Sequence, residues 1–329
     1  MSDLDFCPPA SLPTALGRPR FSPFREFTRE SWSGFRDESN PPVTDAELDQ
    51  IRSIGDPVDM HEVTDVYLPL SRLVRLHVLS AWQRRKACDA QWGAADFSIP
   101  FVLGIVGGVA VGKSTLARLL RLLITRWPER PSVALVTTDG FLRPTAELRR
   151  EGLLSRKGFP ESYRSRALLE FMHEVKAGVP EIEVPVYSHL AYDVVPGENL
   201  RLHRPDILLV EGLNVLQPPA VTPEGRTHPV VSDYVDLGVY LDARNEDIRR
   251  WYVERFLTLR DTAFRAKASY FSHYAGLDDE QAREQAHQIY AQINEVNLVQ
   301  NIEPTLGRAD IVLHKRADHK VSRVWLRKW

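Results

Sequence analysis

Apolar residues in this chain fall into short, almost unbroken runs, separated by longer stretches in which they recur at helical spacing. Six runs read as strands: 102–106 (VLGIV), 132–137 (SVALVT), 184–187 (VPVY), 206–210 (DILLV), 235–241 (VDLGVYL) and 311–313 (IVL), the last taken as the final strand. Unbroken apolar runs suit strands covered on both faces. Between them, Leu116, Leu119, Leu120 and Leu123 repeat at three- and four-residue spacing, and 168–176, 245–264 and 279–301 read as further helices. Strands alternating with helices predict an α/β fold, a mainly parallel sheet with helices on both faces. Ligands of such sheets lie beyond the carboxyl ends of the strands. Residues 107–115, Asp139, His189 and Glu211 all follow predicted strand ends, so they are expected to converge on one cleft.

Before the first strand, residues 67–91 carry leucines and valines at helical spacing, and 44–54 opens on TDAE, with Thr44 as cap and Glu47 three residues later. Residues 21–32 (FSPFREFTRESW) mix aromatics with charges and read as an arm docked on its own protein. Residues 1–20, rich in proline and small side chains, are expected to be disordered. The predicted organisation is therefore a disordered 1–20, a helical N-terminal extension over 21–95 and a catalytic domain over 96–329. Residues 142–159 are polar and basic, as a mobile segment beside a substrate site would be.

The composition, 43% hydrophobic and 26% charged over 329 residues, describes a soluble globular protein with a substantial core. A net charge of −2 gives no general attraction to nucleic acid or to an anionic membrane. Cys7 and Cys88 form no metal-ligand spacing. There is no signal-like segment and no run of eighteen apolar residues, so a cytosolic protein with reduced thiols is expected.

The chemistry starts at Gly107, Gly108, Val109, Ala110, Val111, Gly112, Lys113, Ser114 and Thr115. This is G-x-x-x-x-G-K-[ST], a loop whose backbone N–H groups surround a polyphosphate. Lys113 would reach the outer phosphates and Ser114 would hold Mg²⁺, while the helix that follows offers its positive dipole end. A strand before the loop and a helix after it supply the context that the motif needs. Asp139, in TDGF, reads either as a turn aspartate or as the carboxylate that orients an accepting hydroxyl. Glu211 ends an apolar strand, as a residue organising Mg²⁺ and its waters would, or else starts a helix. The N-K-x-D base-recognition pattern of GTPases is absent. Tyr252, Arg255, Phe256 and Leu259 share a helix face; such a stripe is usually core, but an arginine in it needs an anion if buried. Tyr290, Asn294, Asn297 and Asn301 share another face, where three weak helix formers either invite a polar ligand or form a solvated face near a helix end.

GGVAVGKST, TTDGFL, KGFPESY, PVYSHLAYD, DILLVEGLNVLQ, WYVERFL and NLVQNI, in this order and joined by YLPLSRL at 67–73, closely resemble bacterial type I pantothenate kinases over roughly residues 20–329. The resemblance implies a P-loop kinase fold with a helical N-terminal part, usually a homodimer, that phosphorylates pantothenate with ATP at the first step of coenzyme A synthesis. It also implies inhibition by coenzyme A in competition with ATP. Lys113 and Ser114 match the phosphate lysine and the Mg²⁺ serine, Asp139 the catalytic carboxylate, and Arg255 the arginine that stabilises the transferring phosphoryl group. Tyr187, His189, Tyr252 and Asn294 match pantothenate-binding positions; Tyr192, Phe256, Phe271 and Tyr274 match aromatics around pantothenate and the thiol arm of coenzyme A. Arg118 and His189 match residues involved in feedback inhibition, and Leu259 departs from a phenylalanine found in some relatives. Uridine kinases and phosphoribulokinases share the loop, an early-strand aspartate and a Pro-x-Tyr segment like Pro185-Val186-Tyr187, but not KGFPESY or NLVQNI. A nucleotide-binding regulator without turnover would need vacant or altered positions at Asp139 and Arg255, and both are filled.

Overall fold

Seven strands form one sheet in the order β1 (Phe24–Thr28), β9 (Val321–Arg327), β8 (Ile311–Lys315), β7 (Leu237–Ala243), β2 (Phe101–Gly107), β6 (Ile207–Glu211) and β3 (Val133–Thr137). The computed structural model describes residues 22–36, 43–93, 99–219 and 225–328. The expectation for residues 1–20 lies outside them. From β8 to β3 the strands are parallel, while β9 and β1 add antiparallel pairs at one edge. All seven residues of β2 are buried, which explains its unbroken apolar sequence. The predicted α/β fold is present.

Two strands at that side of the sheet depart from the sequence reading. The run at 311–313 is not the final strand, because β9 follows it as the second arm of a hairpin. The arm at 21–32 does dock on its own protein, but as strand β1 paired with β9 from Phe24↔Arg327 to Thr28↔Arg323. Its Trp32 is buried and donates from Nε1 to the Val66 carbonyl at 3.0 Å.

The rest of the extension is helical. Helix α1 (Asp45–Ile51) begins with the expected reciprocal cap, Thr44 N–H to Glu47 Oε2 at 3.0 Å and Glu47 N–H to Thr44 Oγ1 at 3.3 Å. Helix α2 (Leu68–Trp92) buries Leu70, Val74 and Val78 along one side. Glu62, just before it, accepts from Val321 N–H at 2.7 Å and pairs with Arg29, tying the extension to β9. Helix α3 (Lys113–Ile124) follows the glycine-rich loop and buries Leu116, Leu119, Leu120 and Leu123. Residues 142–159 carry short helical turns at Thr145–Arg150 and Leu154–Arg156. Helix α4 (Ser165–Lys176) precedes an antiparallel ribbon of β4 (Glu181–Ser188) and β5 (Asp193–His203). Helix α5 (Asn245–Asp261) packs on α6 (Asp279–Ile289), which continues through two π-helical turns to Ile302. No helix among the described residues is long and apolar enough to cross a membrane.

Candidate active site

The loop after β2 curls because Gly107 and Gly112 take φ of +150° and +102°, values in which a side chain is strained. A Cβ on Gly112 would stand 2.6 Å from Asp56 Oδ2, so the extension also closes the space behind the loop. Lys113, buried at the start of α3, donates to the Gly108 carbonyl at 2.7 Å, and burial lowers its pKa against the pull of Glu211 and Asp139. Ser114 Oγ donates to Glu211 Oε2 at 3.1 Å, and burial raises the Glu211 pKa. A hydroxyl and a carboxylate at this spacing form a hard-oxygen pair suited to Mg²⁺, with phosphate and water completing its shell. Among the described residues, no group of three His, Cys, Asp or Glu side chains forms a cage that would compete for the ion.

Thr115 and Arg118 do something the loop motif did not suggest. Thr115 Oγ1 is buried and accepts from Ser53 N–H at 3.0 Å, so it anchors the extension. Arg118 donates from Nε to the Ile51 carbonyl at 2.8 Å and from Nη2 to Ser53 Oγ at 2.7 Å. The segment they hold forms one wall of a cleft: Ser53, Gly55 and Asp56 face Gly112, Lys113 and Ser114 across it, with Arg255 and Trp251 alongside. Arg255 has no hydrogen-bond or ion-pair partner among the described residues, and burial lowers its pKa while Tyr252, Asp56 and Glu211 draw it upward. A desolvated guanidinium beside a phosphate loop is built to receive an anion.

Asp139 follows β3 in a 3₁₀ turn and remains half-buried, with the Tyr163 hydroxyl 3.4 Å from its Oδ1. Gly140 is the residue that lets the acceptor wall approach: any Cβ there would overlap the Pro185 carbonyl oxygen of β4. That contact carries Tyr187 and His189 towards Asp139. Tyr187 lies 5.2 Å from His189 and 6.5 Å from Tyr192, ring centre to ring centre. The aromatic wall continues through Tyr192–Phe271 at 4.7 Å, Phe271–Tyr274 at 6.1 Å and Tyr274–Phe256 at 5.4 Å. Burial pushes the Tyr252 hydroxyl up to about 12, with the neighbouring Asn294 drawing it back down. Leu259 packs in the same cluster as Phe256 and Phe271. The predicted acceptor residues therefore form one aromatic wall and its polar edge, with Asp139 between it and the phosphate loop.

Residues without a local motif complete the site. Lys157 is buried beneath the wall, its Nζ 3.8 Å from the Tyr192 ring centre and 5.3 Å from that of Tyr187. Lys315 Nζ lies 3.1 Å from Asp56 Oδ1 and donates to the Val111 carbonyl at 3.0 Å, bracing the loop from behind. The sequence signal for Lys157 was its place in KGFPESY; Asp56 and Lys315 had none, being 259 residues apart.

A phosphate loop after the first parallel strand, a serine–carboxylate pair beside it, and an aspartate facing an acceptor wall define a P-loop kinase. Residues 102–267 match the model of the Phosphoribulokinase / Uridine kinase family. A solved D-glycerate 3-kinase from Cryptococcus neoformans superposes with a TM-score of 0.54 at 14% identity, covering 77% of this chain and 97% of that one, which shows the shared fold. The chain is 51% identical over 325 residues to a protein named pantothenate kinase from Streptomyces coelicolor, covering 98% of this chain and 99% of the relative. A pantothenate kinase from Corynebacterium glutamicum is 52% identical over 313 residues, with 94% and 97% covered. This chain belongs to the pantothenate kinase family.

Proposed function

We propose that this protein transfers the γ-phosphoryl group of ATP to the hydroxyl of pantothenate, giving 4′-phosphopantothenate at the first step of coenzyme A biosynthesis, as a cytoplasmic homodimer. The observation that carries the reading is the place of Asp139, half-buried between the phosphate loop and the wall of Tyr187, His189 and Tyr192. Pantothenate has a carboxylate, an amide and hydroxyls around an apolar gem-dimethyl group. Asn294, Tyr252 and His189 suit the polar groups, and the aromatic rings suit the methyls.

In this reading the loop N–H groups and Lys113 hold the β- and γ-phosphates, and Lys113 leaves the Gly108 carbonyl to do so. Mg²⁺, held by Ser114 and through Glu211, neutralises charge on the phosphates when bound. Asp139 orients the accepting hydroxyl and takes its proton as the new O–P bond forms, and the bond to the ADP oxygen breaks. Arg255 faces the charge that spreads over the transferring group. Coenzyme A competes with ATP at the same loop: its phosphates take the cradle and its thiol arm enters the Phe256–Phe271–Tyr274 pocket, with Arg118 and His189 contributing.

ADP release measured with pantothenate, uridine and ribulose 5-phosphate in parallel tests the assignment. Turnover with pantothenate alone is expected; preferential turnover of either competitor would overturn it.

A further inference from the structure

Three sequence blocks meet at a single carbonyl, through residues that the reaction does not use directly. Gly158, in KGFPESY, has its carbonyl oxygen between two side-chain amides: Asn214 Nδ2, after β6, at 3.1 Å and Asn297 Nδ2, in the helix after α6, at 3.0 Å. Asn297 is buried, and its Oδ1 in turn accepts from Asn301 Nδ2 at 2.8 Å. Gln217 Nε2 reaches the Asn301 carbonyl. DILLVEGLNVLQ, NLVQNI and KGFPESY are thus joined by amides as well as by apolar packing. Gly158 takes φ of +96°, and a Cβ on it would approach Leu213 to 3.4 Å and Asn297 to 3.8 Å.

The next residue back is Lys157. Its Nζ donates to Thr145 Oγ1 at 2.8 Å and to the Tyr192 carbonyl. Thr145 Oγ1 also donates to that carbonyl at 2.9 Å, and Thr145 N–H donates to Asp193 Oδ1 at 3.0 Å. Tyr192 needs such support because it sits at φ of +52°, an unfavourable conformation for a tyrosine.

We infer that Asn214 and Asn297 are positioning residues for the phosphoryl acceptor, which act by fixing Gly158 so that Lys157 holds Tyr192 in its strained turn. The inference rests on the proposed function for the identity of the acceptor, but not for the relay itself. The relay also gives a physical reason for Asn214 to lie three residues past Glu211: one short segment sets the nucleotide side and the acceptor side together.

The test combines kinetics with hydrogen exchange on the unliganded protein. Asn297→Ala should raise KM for pantothenate roughly tenfold, with KM for ATP changed less than about twofold, since one amide bond to a half-buried carbonyl is lost. In a Lys157→Met background the same substitution should add almost nothing, because the path is already cut. In the unliganded protein, Asn297→Ala should speed exchange of the Thr145 and Val194 amides, both bonded to Asp193, at least about fivefold, while those of β2 stay unchanged. Unchanged exchange at Thr145 and Val194, or full additivity with Lys157→Met, would overturn the relay. A wild-type enzyme that ignores pantothenate would sink the proposed function instead, and the exchange result would still decide the relay.

Discussion

At the scale of single residues, the site depends on charges kept short of water. Lys113 has given up solvent for one carbonyl, so Lys113→Met should remove turnover without lowering the unfolding temperature. Near-normal turnover in the folded variant would exclude this nucleotide site. Asp139→Asn keeps the shape but not the negative charge, and kcat should fall at least about a hundredfold with ATP binding retained. Equal losses in both, measured by nucleotide titration beside kinetics, would move Asp139 to the metal. Lys157 shows the same economy of water in a form that pH can read. Burial lowers its pKa from 10.5 to about 8, with Asp193 and Asp139 drawing it upward and the Tyr187 and Tyr192 rings over it. Between those pH values the unfolded chain keeps a proton that the folded protein has released, so this group's contribution to stability rises with pH. The unfolding free energy of wild type minus that of Lys157→Met should therefore increase by on the order of 3 kcal/mol from pH about 7.5 to about 10.5. A flat difference in urea titrations would show Lys157 to be solvated.

At the scale of elements, the loop is held as firmly from outside as by its own glycines. Asp56 and Lys315 have side chains 5% and 1% exposed, and removing either leaves a buried charge. Asp56→Ala should cost about 3–5 kcal/mol in urea unfolding, and Asp56→Ala/Lys315→Met should recover most of it. A double variant as unstable as the single one would show that packing, not charge, is at stake. The elements also separate what a sequence can disclose from what it cannot. The phosphate loop, the Thr44–Glu47 cap and the central strands were legible because their signals are local: a motif, a four-residue pattern, an unbroken apolar run. Strand β1 (FREFT) was hidden because an edge strand alternates polar and apolar residues, and its partner β9 lies at the other end of the chain. Gly140 carried no local signal of the Pro185 carbonyl of β4 that lies on it. The partners of Arg118, a carbonyl and a hydroxyl, sit in a segment more than sixty residues earlier, and nothing local in the sequence pointed to them.

At the scale of the whole molecule, the N-terminal extension is part of the cleft rather than a neighbour of it. Thr115, Arg118 and Lys315 each reach back to it. Any regulator that enters the cleft must meet both pieces of chain. Arg118→Ala is expected to weaken inhibition by coenzyme A at fixed ATP about tenfold or more, as loss of a charge-assisted contact does, and to raise KM for ATP much less. Superimposable inhibition curves for wild type and variant would leave Arg118 only the task of holding residues 51–53.

The pairing of β1 with β9 bears on how such a molecule can be made. Phe24 leaves the ribosome about 300 residues before Arg327, the residue it will face. Until then β8 lacks one neighbour and β1 has none, while Arg29 and Glu62 wait for the Val321 region. The last hydrogen-bonded ladder closes a loop that spans nearly the whole chain, a slow and entropically costly contact. A product cut off before β9 would carry a sound phosphate loop beside two open strand edges, the kind of surface that chaperones and proteases recognise and that drives aggregation. The cell would therefore detect an unfinished copy by its exposed sheet edges before it had any chance to test its chemistry.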